Sequence, residues 1–162
     1  MTGRRSVLAL QQAHVRLRQR AVRQWMRGMM LYVWVAIGGA LGSVARFWCS
    51  GLVAQTVGGT FPWGTMLVNV VGSFVIGLVA TLTGPDARFL ATPEARTFVM
   101  TGFCGGYTTF SSFSLQTLVL AQEGEWLYAI GNILLSVALC LVAVWLGHVT
   151  ALELNHVPEY AQ

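Results

Sequence analysis

Gly102-Phe-Cys-Gly-Gly-Tyr-Thr-Thr-Phe-Ser-Ser-Phe-Ser114 sets glycines, hydroxyls and two phenylalanines three apart into the middle of a stretch, 97–121, that otherwise suits lipid. Bilayer hydrocarbon cannot satisfy a free N–H or C=O, so irregular backbone at that depth persists only where it is buried in protein or lines a cavity. The stretch therefore predicts a helix broken near its middle, with the functional centre at the break.

Composition sets this stretch in a membrane. The chain is 55% hydrophobic and 10% charged, against about a quarter charged in a soluble domain, and its mean hydropathy is +0.62. Four stretches, 31–53, 62–83, 97–121 and 126–149, approach the ~20 apolar residues that span a bilayer as helix. The expected fold is an all-α integral membrane protein with four transmembrane helices per subunit. Its parts are a basic extension over 1–28, a four-helix transmembrane domain over 29–150 and a short tail over 151–162. Gly58-Gly59, Gly84-Pro85 and Glu123-Gly-Glu125 supply the turns, and Trp63, Trp126 and Tyr128 stand where interfacial aromatics sit. Cys49, Cys104 and Cys140 form no CxxC, and His148 and His156 have no helical metal spacing, so neither a disulfide framework nor a transition metal is expected.

All basic residues are arginine, and those at 4, 5, 16, 18, 20, 23 and 27 precede the first span. Either they form an amphipathic helix on anionic lipid or translation begins at Met29 or Met30. The choice bears on insertion, because orientation follows lysine and arginine near span ends. With the extension, its arginines join Arg88 and Arg96 against Arg46; without it, the bias nearly vanishes and insertion both ways becomes plausible. A twin-arginine export signal is rejected, since Gln11, Gln12, His14 and Arg16 interrupt the apolar region.

Within the spans, Gly38, Gly39, Gly42 and Ser43 permit close helix approach. Arg46 either snorkels or lines an anion vestibule. Asn69 is either interhelical glue or a ligand. Phe110 and Phe113 share a helical face, and a ring's positive edge beside hydroxyl donors such as Thr108, Thr109, Ser111, Ser112 and Ser114 can hold a small anion. Freed carbonyls near Gly105 and Thr108, where Gly105 and Gly106 loosen the backbone, suit a hard cation such as sodium. Asn132 and Ser136 share one face of the last span. No carboxylate is embedded in a span, which leaves a proton-coupled cycle or intramembrane hydrolysis without a seat; no enzyme is expected.

Three motifs in order resemble the fluoride channel family called Fluc or CrcB: Gly38-Gly-Ala-Leu-Gly-Ser-Val-Ala-Arg46, residues 64–73 with Asn69, and 102–114. The resemblance covers roughly 31–147. It implies an antiparallel, dual-topology homodimer of four-helix subunits in the cytoplasmic (inner) membrane, which lowers cellular fluoride and binds sodium centrally. By position, Gly105 and Thr108 would offer carbonyls to sodium. Phe110 and Phe113 would form a phenyl box, Asn69 would donate to fluoride, and Arg46 would take the place of the family's first-helix arginine. Ser136 would fall on a polar track beside Asn132, with Thr109 and Ser112 adding hydroxyls to the pore. The chain departs from the family pattern at Ser112, at Gln116 where a glutamate is often found, and in its basic extension. The rival expectations are a small proton-coupled multidrug-type exporter and a membrane subunit that transports nothing.

Overall fold

A computed structural model of the chain describes residues 2–84, 87 and 91–155. Every regular element among them is helical: α1 (Thr2–Val57), α2 (Trp63–Leu82), α3 (Pro93–Thr97), a π-helical stretch (Phe98–Cys104), α4 (Gly105–Tyr107), α5 (Phe110–Gln122) and α6 (Trp126–Asn155). Asp86, Arg88, His156 and Glu159 lie outside the described residues. The chain divides into two compact units, one up to Val33 and one from Trp34 onward.

Among the described residues, three helices are long and apolar enough to cross a membrane, over Arg16–Val57, Trp63–Leu82 and Trp126–Asn155. Their outward faces carry the residues a soluble protein would hide, with Phe47 and Leu127 each 83% exposed. Together these features describe a multi-pass membrane protein, with lipid as the solvent for those faces. The third expected stretch, 97–121, is helical and broken near its middle. It runs as α3, the π-helical stretch and α4, breaks, and resumes as α5. The sequence located the loosening at Gly105 and Gly106, but both glycines are helical. The extended residues are Thr108 (φ −87°, ψ 157°) and Thr109 (φ −152°, ψ 114°). The last helix also outruns its expected end, continuing to Asn155.

In the second unit, small residues let backbone meet backbone. A Cβ on Gly38 would lie 2.5 Å from the Phe98 carbonyl oxygen. Gly42 presses on the Phe103 carbonyl in the same way, and Gly106 on that of Gly39. The apolar part of α1 is thus seated along the π-helical stretch and α4, with Trp34 edge-on to Phe98 at 6.0 Å. A second seam joins α2 to α6, where Gly77 abuts the Val144 carbonyl and Gly147 that of Phe74. Lipid tails give no hydrophobic drive between helices, so such close approach is what holds a membrane bundle together.

Helix ends are satisfied locally. Gly124 (φ +82°) ends α5 in a left-handed turn, with Glu125 N–H donating to Leu120 C=O at 2.9 Å and Gly124 N–H to Ala121 C=O at 3.2 Å. This double bond pattern reverses the chain at no cost to a Cβ. Thr92 caps α3 by accepting from Ala95 N–H at 3.2 Å. Arg96 Nη1 donates to the Thr83 carbonyl at 3.3 Å, placing a cation at the negative end of α2.

Gly147→Val should destabilise the folded protein by about 1–3 kcal/mol through overpacking against α2. Gly51→Ala, where a Cβ would meet nothing within 4 Å, should be neutral or mildly stabilising. Thermal unfolding of both variants in detergent checks the contrast.

Candidate functional site

A break inside a membrane helix strands the last carbonyls of one half and the first N–H groups of the other. Asn69, on α2, meets this need at Thr109. Thr109 N–H donates to Asn69 Oδ1 at 2.7 Å, and Asn69 Nδ2 donates to the Thr109 carbonyl at 3.0 Å. One amide thereby replaces the two backbone partners that Thr109 lacks. Of the two roles open to Asn69, bridging α2 to the break is made directly, and one Nδ2 hydrogen is left over.

Arg46 answers the other half of the break. Its Nε donates to the Gly106 carbonyl at 3.0 Å, and Ser43 Oγ approaches the same oxygen at 3.5 Å. The guanidinium is half-buried, held to backbone and still bordering open space. Upstream, the Cys104 carbonyl accepts both Thr108 N–H and Thr108 Oγ1, each at 2.9 Å.

Thr109 also caps α5. Its Oγ1 accepts Ser112 N–H at 3.1 Å and donates to Ser112 Oγ at 3.1 Å. With its acceptor side occupied, the Ser112 hydroxyl keeps its own proton for another partner. Phe110 and Phe113 follow on the first turn, their ring centroids 5.3 Å apart and tilted by 47°. Phe113 is 9% exposed, whereas Phe110 projects outward at 78%.

Two cavities flank the break. The larger, about 880 Å³, is bordered by Arg46, Ser43, Ser50, Thr109, Ser112 and Gln116, and it opens toward the connector between α1 and α2. The smaller, about 340 Å³, is lined by Asn69, Gly105, Thr108, Thr109, Phe110, Phe113 and Ser136, with Cys140 beside them. Thr109 borders both. Thus most of the sequence-predicted residues border one of the two cavities, whereas the exposed Ser111 and Ser114 border neither. Asn132 is a further exception, being 1% exposed and touching neither cavity.

Asn132 instead closes a buried chain of hydrogen bonds. Its Nδ2 donates to Thr117 Oγ1 at 2.8 Å, and its Oδ1 accepts Ser136 Oγ at 3.2 Å. Thr117 Oγ1 donates in turn to the Phe113 carbonyl at 2.8 Å. Asn132 therefore ties α6 to the turn of α5 that carries the phenyl rings, and Ser136 must rotate before it can donate into the cavity. Thr117 is a residue that sequence reasoning missed. Its only signal was its place four residues after Phe113. Gln116, noted for replacing a glutamate, keeps its Oε1 buried with no hydrogen-bond partner at the edge of the larger cavity.

The profile of the family described as CrcB-like protein, Camphor Resistance, matches residues 33–148. The chain belongs to the CrcB family. A protein of Opitutus terrae called fluoride-specific ion channel FluC is 64% identical over 127 residues, which are 78% of this chain and 96% of that protein. FluC proteins of Rhodospirillum rubrum and Methylocella silvestris are each 60% identical over 126 residues, covering 78% of this chain and 98% and 96% of theirs. The break, its clamp and both cavities lie inside the matched region. The arginines up to Arg27 fall outside the CrcB profile.

Asn69→Ala should remove the side-chain partners of Thr109 N–H and C=O, costing about 1–3 kcal/mol for each group left buried and unpaired. Thr117→Val, which keeps shape but removes the acceptor for buried Asn132, should cost a similar amount. Chemical or thermal unfolding of the purified variants checks both.

Proposed function

We propose that the chain is a fluoride-selective channel, not an enzyme, which lets fluoride leave across the cytoplasmic membrane and so lowers the level inside the cell. One arrangement carries this: a phenyl pair and a set of neutral hydroxyl and amide groups gathered at a helix break, with no carboxylate lining the smaller cavity. The relatives named fluoride-specific ion channels share most of this sequence.

Fluoride is small and strongly hydrated, so a pore must replace its water with close donors yet release the ion. Neutral donors meet both demands. In the proposed path, Arg46 draws the anion into the larger cavity, where Ser112 offers its free hydroxyl proton. Thr109, common to both cavities, is the point of passage. Beyond it, the remaining Asn69 N–H, the positive edges of Phe110 and Phe113 and a rotated Ser136 take over from water. Asn132 contributes by holding Ser136 and the α5 turn in register.

The proposed subunit crosses the membrane four times, the third crossing being the broken one, and works as an antiparallel, dual-topology homodimer. The exposed ring of Phe110 and the exposed Gly105 beside it favour a second copy there, since lipid gives neither ring edge nor freed backbone a polar partner. A sodium ion at that junction would be held by the Gly105 and Thr108 carbonyls of both copies. These two residues adjoin the break and leave open space around Gly105, where a Cβ would meet nothing within 4 Å. The ion would supply fixed positive charge on the dimer axis.

Liposomes carrying the purified protein, clamped with a potassium ionophore, should release fluoride quickly and retain chloride. Phe113→Ile keeps apolar bulk without a ring edge and should slow fluoride efflux about tenfold; unchanged flux would remove the phenyl role. Native mass spectrometry should find two 17.6 kDa chains with sodium retained, and a particle of one chain would sink the dimer.

A further inference from the structure

The first unit of the chain carries a feature that fluoride passage does not use. Arg16, Arg20, Arg23 and Arg27 recur at intervals of four, three and four within α1. At 3.6 residues per turn that spacing keeps all four within about 60° of arc. Val22, Trp25 and Met29 fall on the roughly opposite side, and all three are exposed, Trp25 by 67%. Arg18 interrupts that apolar side, and His14 falls on it one turn before. Arg16, Arg18, Arg20 and Arg23 are likewise exposed, and Arg23 hydrogen-bonds only along its own helix, to the Gln19 carbonyl at 3.3 Å. The sequence holds no Asp or Glu before Asp86, so no acidic neighbour in this segment neutralises the stripe.

We infer that this arginine stripe is a docking surface for anionic lipid headgroups, with Val22, Trp25 and Met29 dipping into the interface beneath them. A helix that is basic on one side and apolar with tryptophan on the other suits the headgroup boundary. RNA would use the arginines but leave the apolar side uncovered. The membrane is also at hand, because only a few residues separate Arg27 from the apolar stretch that begins at Leu31. Each arginine near an anionic surface adds about fivefold to partitioning, so four on one face make a substantial anchor.

The test uses the full chain in zwitterionic nanodiscs, mixed with vesicles of phosphatidylcholine alone or with added phosphatidylglycerol, and followed by co-flotation. Discs should rise with the anionic vesicles only, and capture should collapse near 1 M salt, where screening shortens to about 3 Å. The combined variant Arg16→Gln, Arg20→Gln, Arg23→Gln, Arg27→Gln should weaken capture by about 100-fold or more while fluoride efflux persists. Arg18→Gln should weaken it only about fivefold. Equal capture by pure phosphatidylcholine, capture indifferent to salt, or an RNA competitor that displaces the vesicles at lower phosphate concentration would each overturn the assignment. None of these outcomes depends on whether the chain conducts fluoride.

Discussion

Everything around the centre of this molecule follows from one constraint: two extended residues, Thr108 and Thr109, interrupt a helix inside a membrane bundle, where lipid offers the backbone no partner. The stranded groups must find partners within the protein. Asn69 supplies both for Thr109, and Arg46 supplies one for Gly106. Those two side chains belong to different helices, α2 and α1, so satisfying the break also fixes where those helices stand. The same demand explains the glycines. Arg46 can reach Gly106 because Gly38 and Gly42 on α1, with Gly102 and Gly106 opposite, allow α1 to lie against the π-helical stretch and α4.

Once the break is satisfied, its polar atoms become useful. Each donor or acceptor committed to the backbone leaves a remainder: a second Asn69 hydrogen, an Arg46 guanidinium edge, a Ser112 proton. Those remainders border the two cavities. In the proposed pore no charged side chain lines the smaller cavity, which suits holding an anion and releasing it again. The Asn132, Thr117 and Ser136 chain does the complementary task of fixing the α5 turn that positions Phe113.

Much of this could be read from residue order. The apolar stretches, the polar interruption at 102–114 and the small residues of α1 and α2 are local signals, and local signals survive in a sequence. The location of the break was missed by two residues because glycine was taken as the loosening agent. Gly105 and Gly106 are helical here; Thr109 is extended because Asn69, 40 residues away, accepts its N–H. Likewise, nothing near Asn132 in the chain indicates that Thr117 is its partner. Both pairings depend on the register between helices, which periodicity does not encode. The π-helical stretch over Phe98–Cys104 had no local signature either, since Gly102 within it loosens a helix without specifying a π register.

Gln116 brings the constraint and the function together. Its Oε1 is buried without a partner, a situation that costs about 1–3 kcal/mol unless something supplies a donor. A carboxylate at this place would carry a full negative charge at the edge of the larger cavity, in the path proposed for an anion drawn by Arg46. An amide adds no charge to that of Glu123, which already borders the larger cavity, and it can turn either face toward the cavity, offering N–H to the anion or C=O to its water.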